Sequence, residues 1–346
     1  MSLLGAAGAL ARPVSRTAER SRQLRIVLQA VAPEGTKIAP AAVDKSVAIM
    51  RKRLGQLGLH GTIERTSGTN RVVVLLSGKP SNDTTVTLSK RGLLELYDLT
   101  PALQSPSIDG GRNAVAATSV YGLLAHLAPG TGAPSAFFAV NMNSKRTVAG
   151  PATTRSELRA ELGGKLPSTV RALPVPARDA VLTCSSTHAL ACPGLSTTPA
   201  VDVTYYYLVK HGARRGDAES PYPQLTDADL QASAAHATTD PNTGAGVVLI
   251  RFKPAGNARF KQITGDEARR GKKLGIAQSF AIVLDHVIYT FPTIDYTAYP
   301  QGFDPTPSGA GISGLVSVVE ARDLAVVLRS RSLPLSFERL SVGTVG

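Results

Sequence analysis

Tryptophan is absent from this chain, aromatic residues make up only 5% of it, and acidic residues are outnumbered 25 to 38 by lysine and arginine. Few large rings and many Gly, Pro and Ser residues favour strands, turns and long loops around modest cores. No stretch reaches the ~18 consecutive apolar residues of a membrane-crossing helix. Cysteine is limited to Cys184 and Cys192, and the six histidines lie far apart with no metal-ligand spacing. His188 would add only a third ligand where a structural zinc site needs about four, so no metal is expected. A local Cys184–Cys192 disulfide is expected instead, which fits an oxidising, extracytoplasmic compartment; two unrelated reduced thiols are the alternative.

The catalytic signatures are missing too. There is no H-E-x-x-H and no G-x-S-x-G elbow. Gly309, Gly311 and Gly314 spell G-x-G-x-x-G, but a Pro-rich loop precedes them where a dinucleotide site needs a strand. The acidic pairs Asp227 with Asp229 and Asp266 with Glu267 read as helix-start carboxylates, not as an acid/base couple. Neither an enzyme nor a cofactor is expected.

What is present is positive charge, a formal +13 over 346 residues. Such a balance suits nucleic acid, an anionic membrane surface or acidic polypeptide segments. The basic residues are scattered along the chain. Their densest clusters are Arg51–Arg53, Arg214–Arg215, and Arg269–Arg270 with Lys272–Lys273. None is interleaved with the aromatics that stack on bases, so each reads as a solvated face and nucleic acid is not an expected partner.

Hydrophobic periodicity organises the two ends of the chain. Leu24–Ala30 alternates as a strand. Val43, Val47, Met50, Leu54 and Leu57 then form one helical stripe over 41–57, with Lys45, Lys52 and Arg53 mostly off it and facing water. Gly58 stands where a helix stop is expected. Strands at 62–65 and 71–76, a short helix near 83–90 and a strand at 93–99 complete the order β-α-β-β-α-β, that of a ferredoxin-like sandwich. From Thr100 to Ala245 the pattern degrades into short apolar runs and loops. Order returns with a strand at 247–252, a helix at 256–270 and a hairpin (279–284 with 287–291) around Asp285-His286. A helix over 318–330, carrying Val319, Leu324, Val327 and Leu328 on its apolar side, leads to a strand at 334–340.

Three stretches carry a family pattern. Ala42–Gly78 fits I-x-R-x-R-x-x-x-L-G through Ile49, Arg51, Arg53, Leu57 and Gly58, then G-x-N-R-I-V-V-x-L-x-G through Gly68, Asn70, Arg71, Val72, Val73, Leu75 and Gly78. Phe252, Gly256, Phe260 and Thr264 fit a second pattern. The A-I-V-L-D-G hairpin follows at Ala281–Asp285 with Pro292 and Ile294, and His286 replaces its glycine. Ile312, Gly314, Glu320, Ala321, Leu324, Ala325, Leu328, Arg329, Leu333 and Pro334 carry a third, with Arg331 in place of a glycine. A weaker match runs through Tyr205–His211 and Leu225–Leu230. Together, in this order, they resemble SecD, the membrane-anchored accessory subunit of the bacterial protein-export translocase.

The resemblance implies an α+β protein whose ferredoxin-like base is built from both ends of the chain. The base would hold 23–100 plus 316–346, and an α+β head would be inserted over 101–315, its ordered part from about 200. Residues 1–22 would be a disordered leader or an anchor remnant. It implies a noncatalytic extracytoplasmic domain that binds emerging unfolded preprotein and assists late translocation driven by the proton-motive force. The partners would be the Sec channel, a SecF-like subunit and the membrane, reached through helices outside this chain. A free-standing basic cell-surface protein with a SecD-derived fold is the alternative. The family's L-D-L-x-G-G opening is not matched: Arg16–Gln23 holds RTAERSRQ. Tyr289, Phe291, Tyr296 and Tyr299, clustered in the head hairpin and its loop, are the expected substrate-binding residues; Tyr289 and Phe291 as ordinary core residues are the alternative. Gly256 and Pro292 are expected to serve backbone geometry.

Overall fold

Alternating aliphatic residues at both ends of the chain set up its first sheet. The computed structural model describes residues 23–33, 35–78, 80–127, 130, 132–212 and 222–345, so the leader expected at 1–22 and the Arg214–Arg215 pair lie outside it. β1 (Gln23–Val31) leads to α1 (Pro40–Gln56), β2 (Gly61–Arg65), β3 (Arg71–Ser77), α2 (Asn82–Ser89) and β4 (Leu94–Asp98). Pro40 opens α1 at a position that needs no amide donor. Gly58 follows its end at φ +67°, a backbone region that costs glycine little.

The described residues in the middle of the chain, where periodicity gives little beyond loops, form short helices and strands. This region holds α3 (Leu99–Ala102), β5 (Ile108–Asp109), β6 (Asn113–Ala114), α4 (Tyr121–Leu124), β7 (Ala136–Asn141), β8 (Thr147–Ala152), α5 (Arg155–Glu161), β9 (Val170–Val175), β10 (Asp179–Ser185), β11 (Thr204–Lys210), β12 (Leu225–Thr226) and β13 (His236–Thr239). Its strands have no more than seven residues each and are punctuated by Gly and Pro, too short to show a period. Then come β14 (Gly246–Ile250), α6 (Pro254–Leu274), β15 (Gln278–Leu284), β16 (Val287–Thr290), β17 (Thr293–Ile294), β18 (Ala310–Ile312), α7 (Val318–Ser330) and β19 (Ser336–Val345).

The two ends meet. The first sheet has the order β19-β1-β3-β2, antiparallel throughout, with β1 paired to β19 from Gln23↔Val345 to Val31↔Ser336. Ile26, Leu28, Val72, Val74 and Leu76 pack beneath Val43, Val47, Met50 and Leu54 of α1. Leu94–Asp98, expected as the last strand of this sheet, does not join it. It lies between β15 and β12 in a seven-stranded sheet of order β11-β10-β16-β15-β4-β12, with β17 on β15. All five of its residues are buried, which suits a strand covered on both faces.

That sheet explains the unbroken apolar run of β15. Phe280, Ile282 and Leu284 face a core with Phe260 and Ile263 of α6 and Leu324 of α7. Ala281 and Val283 face the opposite core, with Tyr207 and both cysteines. A three-stranded sheet, β13-β14-β18, adds Val248, Ile250 and Ile312 to the first core, and another, β8-β7-β9, packs Phe138 and Val140 on Tyr206 and Leu208. The chain is thus a mixed α+β structure of several sheets.

Two side chains depart from the helical-wheel reading. Val319 is 63% exposed, not on the buried side of α7. Arg53, expected to face water, is fully buried where the end of α1 meets the end of α7. Its guanidinium donates to Ser330 Oγ and to the carbonyls of Thr87, Leu88, Lys90, Arg91 and Arg331. A ring of inward-pointing carbonyls substitutes for water there, which a periodicity argument cannot see. Burial lowers its pKa to about 10, opposed by the charge of Asp285.

Candidate functional site

Four elements border a groove with a cavity of about 300 Å³: α2, the start of α7, the loop that follows β10, and the hairpin of β15 and β16. Its floor is apolar, with Leu284, Tyr289, Leu324 and Val327. Its mouth carries Val86, Val316 and Val319, three of the exposed large aliphatics.

Local sequence explains the frame. Ser317 caps α7 by accepting from the Glu320 amide at 3.0 Å, and the Glu320 carboxylate reaches back to the amide of Val316, the residue before the cap, at 3.1 Å. The other Glu320 oxygen lies 2.9 Å from His188 Nδ1. His188 sits in the loop closed by the Cys184–Cys192 disulfide, and its ring stacks on Tyr289 at 5.3 Å. On the opposite side Lys90 Nζ donates to the Tyr289 hydroxyl at 2.7 Å. Burial raises the Tyr289 pKa, countered by Lys90, so this phenol is neutral and serves as a flat wall.

The disulfide therefore holds one wall of the groove. It closes a loop of sequence separation 8, for which chain-entropy arithmetic gives about 2–3 kcal/mol of stabilisation. Cys184→Ala with Cys192→Ala is expected to lower the urea midpoint accordingly, with an m-value equal to or slightly above the parent's because the unfolded chain loses its cross-link. A variant as stable as the parent would show that the loop is ordered without its cross-link.

Of the four aromatics expected to bind substrate, only Tyr289 lines this groove. Phe291 is half-buried against the Tyr207 core, Tyr296 half-buried against the Phe260 core, and Tyr299 is exposed and edge-on to Phe303. Val86, Val316 and Lys90 carry no signal in the sequence, His188 is legible there only as a zinc-ligand candidate and Val319 only as a core position; the S-x-x-E spacing of Ser317 and Glu320 was the one readable signal.

The family-pattern residues sit mostly in structural roles. Arg51 donates to the Ile63 carbonyl, the Asn70 carbonyl accepts from the Ala30 amide, and Arg71 reaches Gln29. A side chain at Gly256 would meet the Asp229 carbonyl at 2.9 Å, and Gly314 has φ +78°. Phe260, Ala321 and Leu324 are core; the Pro292 and Arg329 carbonyls accept from Phe280 and Lys52; Pro334 borders a second cavity beside the first strands. Asp285 clips the amides of Gly92 and Leu93. Among the described residues no cluster of His, Cys, Asp or Glu is arranged to hold a metal ion, and no helix is long and apolar enough to cross a membrane.

Residues 220–335 match the model of the SecDF P1 head subdomain. The protein translocase subunit SecDF of Thermus thermophilus is 36% identical over 124 residues, which cover 36% of this chain and 14% of that protein. The protein translocase subunit SecD of Rhodobacter capsulatus is 37% identical over 125 residues, 36% of this chain and 19% of that protein. The matched segment thus spans under a fifth of each relative's length. A crystal structure of SecDF in a super-membrane-facing form aligns with 93% of this chain and 30% of its own, at 22% identity and a TM-score of 0.48. A structure described as a membrane component SecDF that enhances protein export aligns with 93% of this chain and 100% of its own, at 20% identity and a TM-score of 0.47.

The class defined here is a mixed α+β domain of several sheets with the SecDF head pattern in its C-terminal third. Residues 220–335 carry the SecD-family head pattern, an assignment that rests on the sequence matches.

Proposed function

We propose that this chain is a noncatalytic, extracytoplasmic base-plus-head domain of a SecD-type translocase subunit, and that its groove at Tyr289 holds unfolded preprotein. The head match over residues 220–335 carries the reading, because Tyr289 and most of the groove's C-terminal lining fall inside it. The sheet order β19-β1-β3-β2 is that expected of a ferredoxin-like base whose fourth strand comes from the end of the chain. β4 then belongs to the head sheet, and the base extends over 23–90 plus the last helix and strand. The disulfide suits an oxidising compartment.

A site for many unrelated unfolded chains needs apolar contact without demanding shape, and a polar rim to keep it wet when empty. Val86, Val316 and Val319 supply the first; Lys90, His188, Glu320 and Asp323 supply the second. The channel and a SecF-like subunit would be the fixed partners, and the proton-motive force would act through membrane segments outside this chain.

Val316→Asp with Val319→Asp puts two carboxylates at the apolar mouth, and is expected to weaken binding of a reduced, unfolded polypeptide by about tenfold or more. Tyr299→Ser, outside the groove, is expected to leave binding unchanged. Fluorescence anisotropy with a labelled unfolded polypeptide distinguishes them. If only the Tyr299 variant lost affinity, the site would lie in the loop after the hairpin and the groove assignment would fall.

A further inference from the structure

The turn between β15 and β16 carries a histidine where its backbone favours glycine. Asp285 and His286 have φ +50° and +65°, and a two-residue turn of this kind normally takes Asn-Gly or Asp-Gly. Asp285 has an evident use: its two carboxylate oxygens accept from the Gly92 and Leu93 amides, both at 2.8 Å, and its own amide donates to the Leu93 carbonyl at 3.0 Å. The turn is thereby clipped onto the chain where it enters β4.

His286 has no such partner for its ring. Its Nδ1 is enclosed and makes no hydrogen bond, and it lies 4.0 Å from Glu95 Oε2. A quarter of the side chain faces a cavity of about 590 Å³. Glu95, on β4, is 2% exposed. Its Oε1 lies 3.1 Å from His211 Nε2, just beyond β11, and its Oε2 accepts from the Tyr97 hydroxyl at 3.2 Å. The two imidazoles meet edge-on, with centroids 6.2 Å apart. Three elements therefore converge through one carboxylate, beside a space into which the turn could move.

We propose that Glu95, His211 and His286 form a proton-operated latch, which holds the β15–β16 turn against β4 and the end of β11 and releases it toward the adjoining cavity when His286 takes up a proton. This is separate from the groove at Tyr289 and does not depend on what that groove binds.

The electrostatics favour this direction. Burial lowers the His286 pKa; the charges of Glu95 and Asp285 oppose this, while His211 and Arg91 add to it. Lys90, Glu157 and Arg339 line the same cavity. Glu95 is held below its ordinary value despite its burial, by the His211 hydrogen bond, the two imidazoles and Tyr97. A histidine whose pKa is lowered in the latched state binds a proton more readily when released. The latch is therefore fully engaged above about 6.5, the ordinary histidine value, and weakens as pH falls through that value toward the lowered one. Glu95 acts in the same sense at lower pH, below the ordinary glutamate value.

Histidine side-chain NMR titration combined with amide exchange tests this on the whole chain. His286 is expected to titrate below about 6.5. The protection factors of the Gly92, Leu93 and Asp285 amides are expected to fall about tenfold between about pH 7.5 and about pH 5.5. In His286→Gly and His286→Asn, which both tolerate this backbone, those amides should show no comparable pH dependence. A His286 pKa at or above the ordinary value would mean that its proton tightens the contact with Glu95. That result, or an unchanged pH response in both variants, overturns the latch.

Discussion

Arg53→Met is expected to destabilise the chain by about 3–5 kcal/mol. The side chain is fully buried, and its guanidinium serves the Ser330 hydroxyl and five backbone carbonyls from the 87–91 segment and residue 331. Methionine keeps most of the packing and removes every donor, leaving acceptors that water reaches only by opening the junction of α1, α7 and the 87–91 segment. Lysine keeps the charge but cannot serve carbonyls spread over a planar fork, so Arg53→Lys should recover only part of the loss. Urea unfolding reads both. A methionine variant within about 0.5 kcal/mol of the parent would show that these carbonyls are met by water instead.

Glu267→Met is expected to act in the opposite direction. Glu267 lies in α6 with neither carboxylate oxygen hydrogen-bonded and no exposed surface. Burial, and then the charge of Asp98, push its pKa well above the ordinary range, opposed by Arg270. Asp98, though paired with Arg270, is itself pushed up to about 6 by burial. A carboxyl whose folded pKa is raised contributes its full stability below the unfolded value and loses it as pH rises toward the folded one. The advantage of methionine should therefore be smallest near pH 4 and grow by up to about 1.4 kcal/mol per pH unit above about 4.5. At pH 7 the net gain should be about 2 kcal/mol or more. Thermal melts across that range check the slope. A gain independent of pH would mean that Glu267 is not titrating in the fold.

Much of the architecture was legible because it rests on periodicity. The stripe of α1, the hairpin of β15 and β16, and the span of α7 follow directly from their apolar spacing, and the burial of Val43, Val47, Met50 and Leu54 agrees with it. Strand partners are less legible. Leu94–Asp98 reads as a strand in either sheet, and only its burial on both faces places it in the larger one. The segment between Thr100 and Ala245 hides short strands whose cores form by long-range pairing, as in β10 with β11 and β7 with β9. At the groove, Tyr289 was visible as an aromatic in a motif. Its neighbours come from far along the chain: Val86 from α2 and Lys90 just beyond it, His188 from the disulfide loop and Val319 from α7. Arg53 misled for the same reason. Its environment is made of backbone carbonyls, which leave no trace in residue type.

Photo-crosslinking tests the groove most directly. A photoreactive residue at Val319, on the groove mouth, should capture an unfolded, translocation-competent polypeptide added to the purified chain. The same probe at Val201, which is 78% exposed but outside the groove, should capture little. Equal labelling at both positions, or labelling at Val201 alone, would contradict a substrate seat beside Tyr289.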